Sequence, residues 1–219
     1  NANGQRGNPP GFGAHFVITF DRPFTAFGVL RGDAVLKGQK LVSGKRVGAY
    51  VQFATEEGDQ VNLQIAHSFI SREQAEVNLA AEVAGHGFDQ LVNRARDAWN
   101  RELSSVAVEG PAAARTKLYT AMYRALLFPR VMHEKTAAGK VVHYSPYDGK
   151  VHDGVMYTDT GFWDTYRAQL PLLTLLYPKR VGDVIKGLVS AYEEGGWIPK
   201  WPSPGYRSRE HTGKVKPEL

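Results

Sequence analysis

The sequence has no cysteine, which removes disulfides, thiolate metal sites, iron–sulfur clusters and cysteine nucleophiles together. That absence leaves the compartment open, because a cysteine-free chain suits either side of a membrane. No apolar run reaches the length of about 18 residues that a membrane-spanning helix needs, so no span is expected. The chain opens Asn1-Ala2-Asn3-Gly4 rather than with a methionine and an apolar stretch. No signal peptide is therefore visible, and an exported protein would carry its signal outside these residues. Also missing are a G-x-S-x-G elbow, a P-loop and a G-x-G-x-x-G after a strand, which disfavours serine-type hydrolases, nucleotidases and dinucleotide enzymes. His133, His143 and His152 fall in one region, but neither H-x-x-x-H nor H-E-x-x-H spacing occurs, so no transition-metal site is expected. Asp148, Asp153, Asp159 and Asp164 are candidate hard-oxygen ligands whose spacing is not that of an EF-hand loop.

What is present is a chain of 219 residues with 42% apolar content, enough for one large domain or two small ones. There are 27 basic and 22 acidic side chains, a net charge of +5. The basic residues do not gather into a stripe interleaved with aromatics, so a solvated surface is preferred and no nucleic-acid partner is expected. Aromatics are more informative: of four Trp and ten Tyr, Trp163, Trp197 and Trp201 fall in the last third. Such side chains offer flat apolar faces with a polar edge, which suits sugars as well as core packing.

From Phe12 to about Ile70 the pattern is strand-like, with runs at 15–20, 47–53 and 61–66 broken by Gly, Asp and Pro; the last alternates apolar and polar, as in a half-solvated antiparallel sheet. Residues 1–11, rich in Gly, Asn and Pro, read as a loop or arm. At Ser71 the pattern switches to helix. Ser71 and Gln74 form an S-x-x-Q capping box, and Ala75, Leu79, Ala80 and Val83 follow at helical spacing until Gly85-His86-Gly87. Asp89 is placed to cap a second helix carrying Leu91, Val92, Ala95, Ala98, Trp99 and Leu103, after which 105–109 reads as a short strand. Pro111 opens a third helix at its first position and Pro129 ends it. Residues 131–144 read as a hairpin around Ala138-Gly139, and 148–158 as a Gly/Asp-rich loop. A helix over 161–177, kinked by Pro171, is followed after Pro178 by another over 179–194 that Gly195-Gly196 closes.

The residues with chemical promise sit around one helix start. Trp163, Asp164 and Arg167 lie within a turn, and the three-residue spacing lets Asp164 pair with Arg167 while both offer fixed donors and acceptors to a polyhydroxylated ligand. The plainer alternative is that Asp164 caps the helix and Arg167 is its surface partner. A second cluster, the rigid aromatic loop 195–206 with Trp197 and Trp201, is either part of the same pocket or a Pro-rich loop with a buried Trp.

Trp163-Asp164-Thr165-Tyr166-Arg167, then Leu170-Pro171-Leu172-Leu173-Thr174-Leu175 and Pro178-Lys179-Arg180-Val181, resemble the W-D-T-[FY]-R…P-L-L-T-L…P-x-R-V signature of glycoside hydrolase family 92, calcium-dependent exo-acting α-mannosidases. The likeness extends through 71–75 with Asn78-Leu79, Ala98-Trp99-Asn100 and 118–127, all in the family's order. Several separated blocks in one order are more specific than any single motif.

The resemblance implies an α+β multidomain architecture: the C-terminal part of a β-sandwich over 1–70, a helical linker with a short strand over 71–110, and the truncated start of an (α/α)6 barrel over 111–219. It implies inverting hydrolysis of terminal α-linked mannose, with α-1,2 linkages expected, from mannose-containing glycans outside the bacterial cytoplasm, in a secreted or periplasmic protein. A glutamic acid would protonate the leaving oxygen and an aspartate would activate water, the two roughly 6.5–9.5 Å apart. Calcium would bind mannose hydroxyls as template and Lewis acid. Trp163, Asp164, Arg167 and Trp201 are the expected substrate-binding residues. Twelve barrel helices need on the order of 200 residues, whereas 111–219 supplies three recognisable ones. The general acid, the base and most calcium ligands are therefore expected beyond residue 219, so the chain itself has no catalytic residue or metal ligand and is expected to be inactive. From Arg207 the polar, unperiodic tail departs from the family pattern. Two other readings stay open: another (α/α)6 glycosidase, because function lives in the site and not the fold, and a non-catalytic sugar-binding or scaffold protein using the aromatic loop alone.

Overall fold

The computed structural model describes residues 12–203. The expected arm 1–11 and the polar tail from Arg207 lie outside the described residues. The chain divides into two compact units, residues 18–65 and the segments that flank them.

β1 (His15–Phe20) leads into the smaller unit, where β2 (Ala26–Arg31), β3 (Ala34–Lys37) and β4 (Val47–Gln52) form an antiparallel sheet in the order β3-β2-β4. Gly32, at φ +58, lets the chain reverse in the two-residue connection between β2 and β3, the left-handed geometry that such tight hairpins demand. β5 (Leu63–Ser68) pairs with β1, and each of these two strands has one end in either unit. Asp21 and Asn62 close one end of that pair: the Asn62 amide donates to Asp21 Oδ2 at 2.7 Å and the Asn62 main-chain N–H to Oδ1 at 3.1 Å.

The larger unit continues with α1 (Arg72–Glu82), α2 (Phe88–Leu103) and α3 (Ala112–Leu126). Ser71 caps α1 as expected, accepting from the Gln74 N–H at 3.1 Å. The reciprocal half of the capping box is absent, because the Gln74 side chain donates instead to Asn78 and to the Lys135 carbonyl. α2 starts at Gly87 rather than Asp89. Its free N–H donates to Gln90 Oε1 at 3.1 Å, and Asp89 lies in the first turn, where the helix dipole favours it. The expected strand over 105–109 does not form. The alternating residues find no partner strand, and the segment is pinned by two tyrosines: Tyr119 donates to Val106 O, and the Tyr177 hydroxyl lies 2.7 Å from Ser105 Oγ while donating to Glu102 O. Pro111 is the cap of α3, one position earlier than expected.

Next come β6 (Arg130–Val131), β7 (His133–Lys135), β8 (Val141–Tyr144), β9 (Val151–Asp153) and β10 (Tyr157–Thr158). The expected hairpin is β7-β8, turning through Gly139 at φ +78, and β9 extends it to three strands. β10 pairs with β6.

The helix expected over 161–177 is two helices, α4 (Phe162–Thr165) and α5 (Gln169–Leu176). Pro171 causes this break. Its ring excludes a helical carbonyl four residues back, at Arg167, so the helix restarts with Pro171 in its first turn, where a missing N–H costs nothing. α6 (Pro178–Gly195) opens with proline at its first position and stops at Gly196, φ +79. Gln169 donates to the Ala125 and Phe128 carbonyls and Arg180 to Leu126 O, so α5 and α6 satisfy the orphan acceptors at the end of α3.

Gly187, Ala191 and Gly195 recur every four residues along α6 and form a small-residue face. A Cβ at Gly187 would lie 3.2 Å from Tyr157 N and 3.4 Å from Met156 Cα, and one at Gly195 would lie 3.2 Å from the Tyr147 side chain. Around that face Met132, Tyr144, Tyr147, Met156 and Ala191 make a buried cluster, with Phe12, Phe69 and Ile70 packed on it. The described residues thus make a mixed architecture of small sheets and six helices, none of them long and apolar enough to cross a membrane.

Candidate functional site

The site is built where β10 turns into α4. Asp159 adopts φ +57, a left-handed conformation that short polar side chains tolerate better than most. Its carboxylate is gripped by the Nε and Nη2 of Arg130. The Asp159 N–H donates to Pro202 O at 2.8 Å, and the Phe162 N–H to Lys200 O at 3.3 Å. These main-chain bonds lay the aromatic loop after α6 against the start of α4, which brings the two sequence clusters together.

Gly161 is the meeting point. It caps α4, its carbonyl accepting from the Asp164 N–H at 3.2 Å and from the Thr165 hydroxyl at 2.9 Å. A Cβ here would lie 2.4 Å from two indole carbons of Trp201 and 3.0 Å from Asp164 Oδ2. The Trp201 ring and the Asp164 carboxylate therefore converge on the bare side of residue 161.

The ion pair expected between Asp164 and Arg167 is not among the interactions of the described residues. The turn after Thr165 takes Arg167 off the helix, so the three-residue spacing no longer places the two on one face. Arg167 instead lies over two aromatic rings, its guanidinium carbon 5.2 Å from the Trp163 centroid and 4.5 Å from that of Tyr166, the geometry of a cation–π contact. Asp164 is not the helix cap either, since Gly161 takes that place. Trp163 is 73% exposed and Trp201 53%. The array offers two accessible aromatic faces, one carboxylate acceptor and one guanidinium donor, groups suited to stacking on a sugar ring and hydrogen bonding to its hydroxyls.

The four aspartates singled out as possible hard-oxygen ligands do not meet at one point: Asp148 and Asp153 line one cleft, and Asp159 and Asp164 are not part of it. Asp148 Oδ2 lies 2.8 Å from His152 Nε2, Asp153 pairs with Lys140 at 2.8 Å, Asp159 belongs to Arg130 and Asp164 faces Gly161. No group of three or more His, Asp or Glu suited to a metal ion occurs among the described residues, so these residues do not fit a calcium centre.

Sequence reasoning singled out Asp159 as a possible metal ligand but missed Arg130 and the pairing of the two, which are 29 residues apart and carry no local signature. It also missed a buried polar network beside the site. His143 is fully buried, with Nδ1 3.0 Å from Gly154 O and Nε2 2.9 Å from Glu194 Oε1. Burial disfavours its cation, but the bonds to Glu194 and Gly154 and the charges of Glu194 and Asp148 outweigh that cost and raise its pKa. Burial dominates at His133 and lowers its pKa, against the opposing pull of the Met156 carbonyl. Burial likewise pushes the Tyr147 hydroxyl far up. Asp148 is desolvated too, yet bonds from the Lys150 N–H and His152 hold its pKa down. The spacing of Asp148 and His152, four residues, was the one visible signal of this network.

Comparison with known proteins agrees with the blocks seen in the sequence. A family GH92 inverting mannosidase from Bacteroides thetaiotaomicron VPI-5482 superposes with a TM-score of 0.86 at 43% identity over 91% of this chain and 27% of its own. A family GH92 α-mannosidase from Bacteroides thetaiotaomicron gives 0.75 at 21% identity, over 89% of this chain and 27% of its own. A structure of that α-mannosidase in complex with mannoimidazole gives 0.76 at 20% identity, covering 89% of this chain and 26% of its own. This chain thus spans about a quarter of the length of these mannosidases. No curated protein matches it. The profile of the glycosyl hydrolase family 92 N-terminal domain matches residues 1–68, and that of the catalytic domain matches residues 74–217. With two family profiles covering nearly all of it in the order that the motifs follow, the chain belongs to glycosyl hydrolase family 92.

Proposed function

We propose that this chain is the part of an α-mannosidase that joins the N-terminal domain to the catalytic domain and builds one wall of the sugar pocket. The whole protein removes terminal α-linked mannose from glycans with inversion, with α-1,2 linkages as the preferred substrate, in a secreted or periplasmic setting. Residues 1–70 are the end of a β-sandwich, 71–110 a helical linker, and 111–219 the opening of an (α/α)6 barrel. Trp163, Asp164, Arg167 and Trp201 contact the mannose: the aromatic faces stack, Asp164 accepts from hydroxyls, and Arg167, held over Trp163, donates. The general acid, the general base and the calcium ligands belong to parts of the protein beyond residue 219. Calcium, where it binds, supplies polarisation of sugar oxygens.

One observation carries the reading: Trp201 and Asp164, 37 positions apart in the sequence, converge on Gly161 beside an exposed Trp163, within a chain of mannosidase family. The test uses a protein extended to the length of the matched mannosidases, assayed on α-1,2-mannobiose and the corresponding glucosides with calcium present. We expect mannose released with inverted anomeric configuration, read by NMR. Preference for glucosides, or retention, would overturn the assignment. Asp164→Ala should lower kcat/KM by about 10- to 100-fold, the loss expected for a hydrogen bond to a charged group. The 219-residue chain alone should give no turnover.

A further inference from the structure

Both nitrogens of the buried His143 ring face acceptors. A carbonyl oxygen only accepts, so the Nδ1 that lies 3.0 Å from Gly154 O bears a proton; Nε2, 2.9 Å from a carboxylate oxygen, bears one as well. With Glu194 ionised, the ring is an imidazolium and Glu194 is its counter-ion. The Glu194 side chain is only 8% exposed, and its second oxygen, Oε2, has no hydrogen-bond partner among the described residues.

Other charged and titratable groups face this pair from each neighbouring element. Asp148, in the turn between β8 and β9, is bonded to His152 on β9, whose ring stacks on His143 at 6.1 Å. His133 is the cross-strand neighbour on β7, and on α6 Glu193 lies exposed beside Glu194.

Position gives the pair its leverage. Glu194 stands in the last turn of α6, two residues before the left-handed stop at Gly196, and Gly195 rests on Tyr147. The aromatic loop begins at once with Trp197. It is fixed at its far end by the bonds from Asp159 and Phe162 to Pro202 and Lys200, and at its near end by His143 holding Glu194. Removing the ring proton leaves an imidazole lone pair facing a desolvated carboxylate, an arrangement that is repulsive and without a donor. Glu194 lines an open cleft of about 670 Å³, together with Asp148, Val151, His152, Asp153, Ser190 and Glu193, and this gives the carboxylate room to turn.

We propose that the His143–Glu194 pair is a proton-operated clasp: with the ring protonated it holds the end of α6 and the near end of the loop 197–202, and loss of that proton to solvent frees the end of α6 and loosens the loop at Trp197. The raised pKa of His143, set by Glu194, the Gly154 carbonyl and Asp148 against the opposing cost of burial, places the release on the alkaline side of the ordinary histidine range. The proposal does not depend on which sugar the protein hydrolyses.

The experiment follows tryptophan emission of the 219-residue chain, and the histidine ring protons by NMR, from pH 5.5 to 9. We expect a reversible emission change whose midpoint lies above 6.5 and coincides with titration of the His143 ring. Glu194→Gln is nearly isosteric and uncharged and should move both midpoints down by at least one pH unit, a tenfold loss of proton affinity. His143→Gln should abolish the emission change, whereas His152→Gln should keep it. An emission change that survives His143→Gln, flat emission in the unmodified chain, or a midpoint unmoved by Glu194→Gln would each overturn the clasp. If His143→Gln does not fold, the Glu194→Gln comparison decides alone.

Discussion

Gly161 has no Cβ, and the Trp201 indole occupies the space a Cβ would need, 2.4 Å from two ring carbons. Its backbone, φ −104 and ψ 118, is one that any residue adopts, so the demand for glycine is purely steric. Gly161→Ala must displace the ring, and because Trp201 is half exposed the ring can swing outward without disturbing the core. Overpacking in a closed core costs about 1–3 kcal/mol; here we expect a loss at the low end, about 1 kcal/mol in urea unfolding, with a red-shifted tryptophan emission. The double variant with Trp201→Ala should show no additional loss from the alanine at 161. Full additivity of the two changes would mean that the ring does not sit on residue 161. The sequence made Trp163, Asp164 and Arg167 legible because they lie within one turn of each other. It could not reveal that Arg167 lies over Trp163 and Tyr166 rather than beside Asp164, since that follows from where the helix breaks. The Arg130–Asp159 pair was illegible for a different reason: nothing local to either residue announces a partner 29 residues away.

Helices proved more readable than strands because their ends carry chemistry in the sequence itself. Ser71, Pro178 and the Gly195-Gly196 pair mark real boundaries, each through a backbone group left unsatisfied or a φ that only glycine takes comfortably. The break between α4 and α5 was written in Pro171, but the apolar spacing ran on through it and suggested one continuous helix. β6, β9 and β10 are two or three residues long, too short for any alternation to register, and their existence depends on ladders to distant segments. Gly196 provides a clean test of a boundary. No atom lies within 4 Å of a Cβ built there, and φ is +79, so Gly196→Ala meets no clash and pays only for the left-handed backbone. We expect a loss of about 1–2 kcal/mol in urea unfolding, with the far-ultraviolet helix signal retained. A neutral result would show that α6 can end without the left-handed residue. The same substitution at Gly87, where φ is negative and space is equally open, should cost less, because only a helix-cap preference is lost.

For the molecule as a whole, the buried His143 and the half-buried His133 set opposite pH limits across one strand pair. His133 and His143 are register partners on β7 and β8, and the charge on His143 helps to keep His133 neutral. The pKa of His143 is raised in the fold, so its contribution to stability is fully present below the unfolded value near 6.5 and is lost as pH rises through the folded value. The pKa of His133 is lowered, chiefly by burial, so the unfolded chain takes up that proton first and stability is lost as pH falls below 6.5. Acid also adds positive charge to a chain whose net charge is already +5, and self-repulsion acts in the same direction as His133. Stability measured by urea unfolding from pH 5 to 8.5 should therefore pass through a maximum near the ordinary histidine pKa and fall on both sides. His143→Gln should flatten the alkaline fall and leave the acidic one in place; His133→Gln should do the reverse, since an amide in that position has no proton to gain. If a single substitution removed both slopes, the two rings would be titrating as one unit rather than as a charged residue and a neutral one held on adjacent strands.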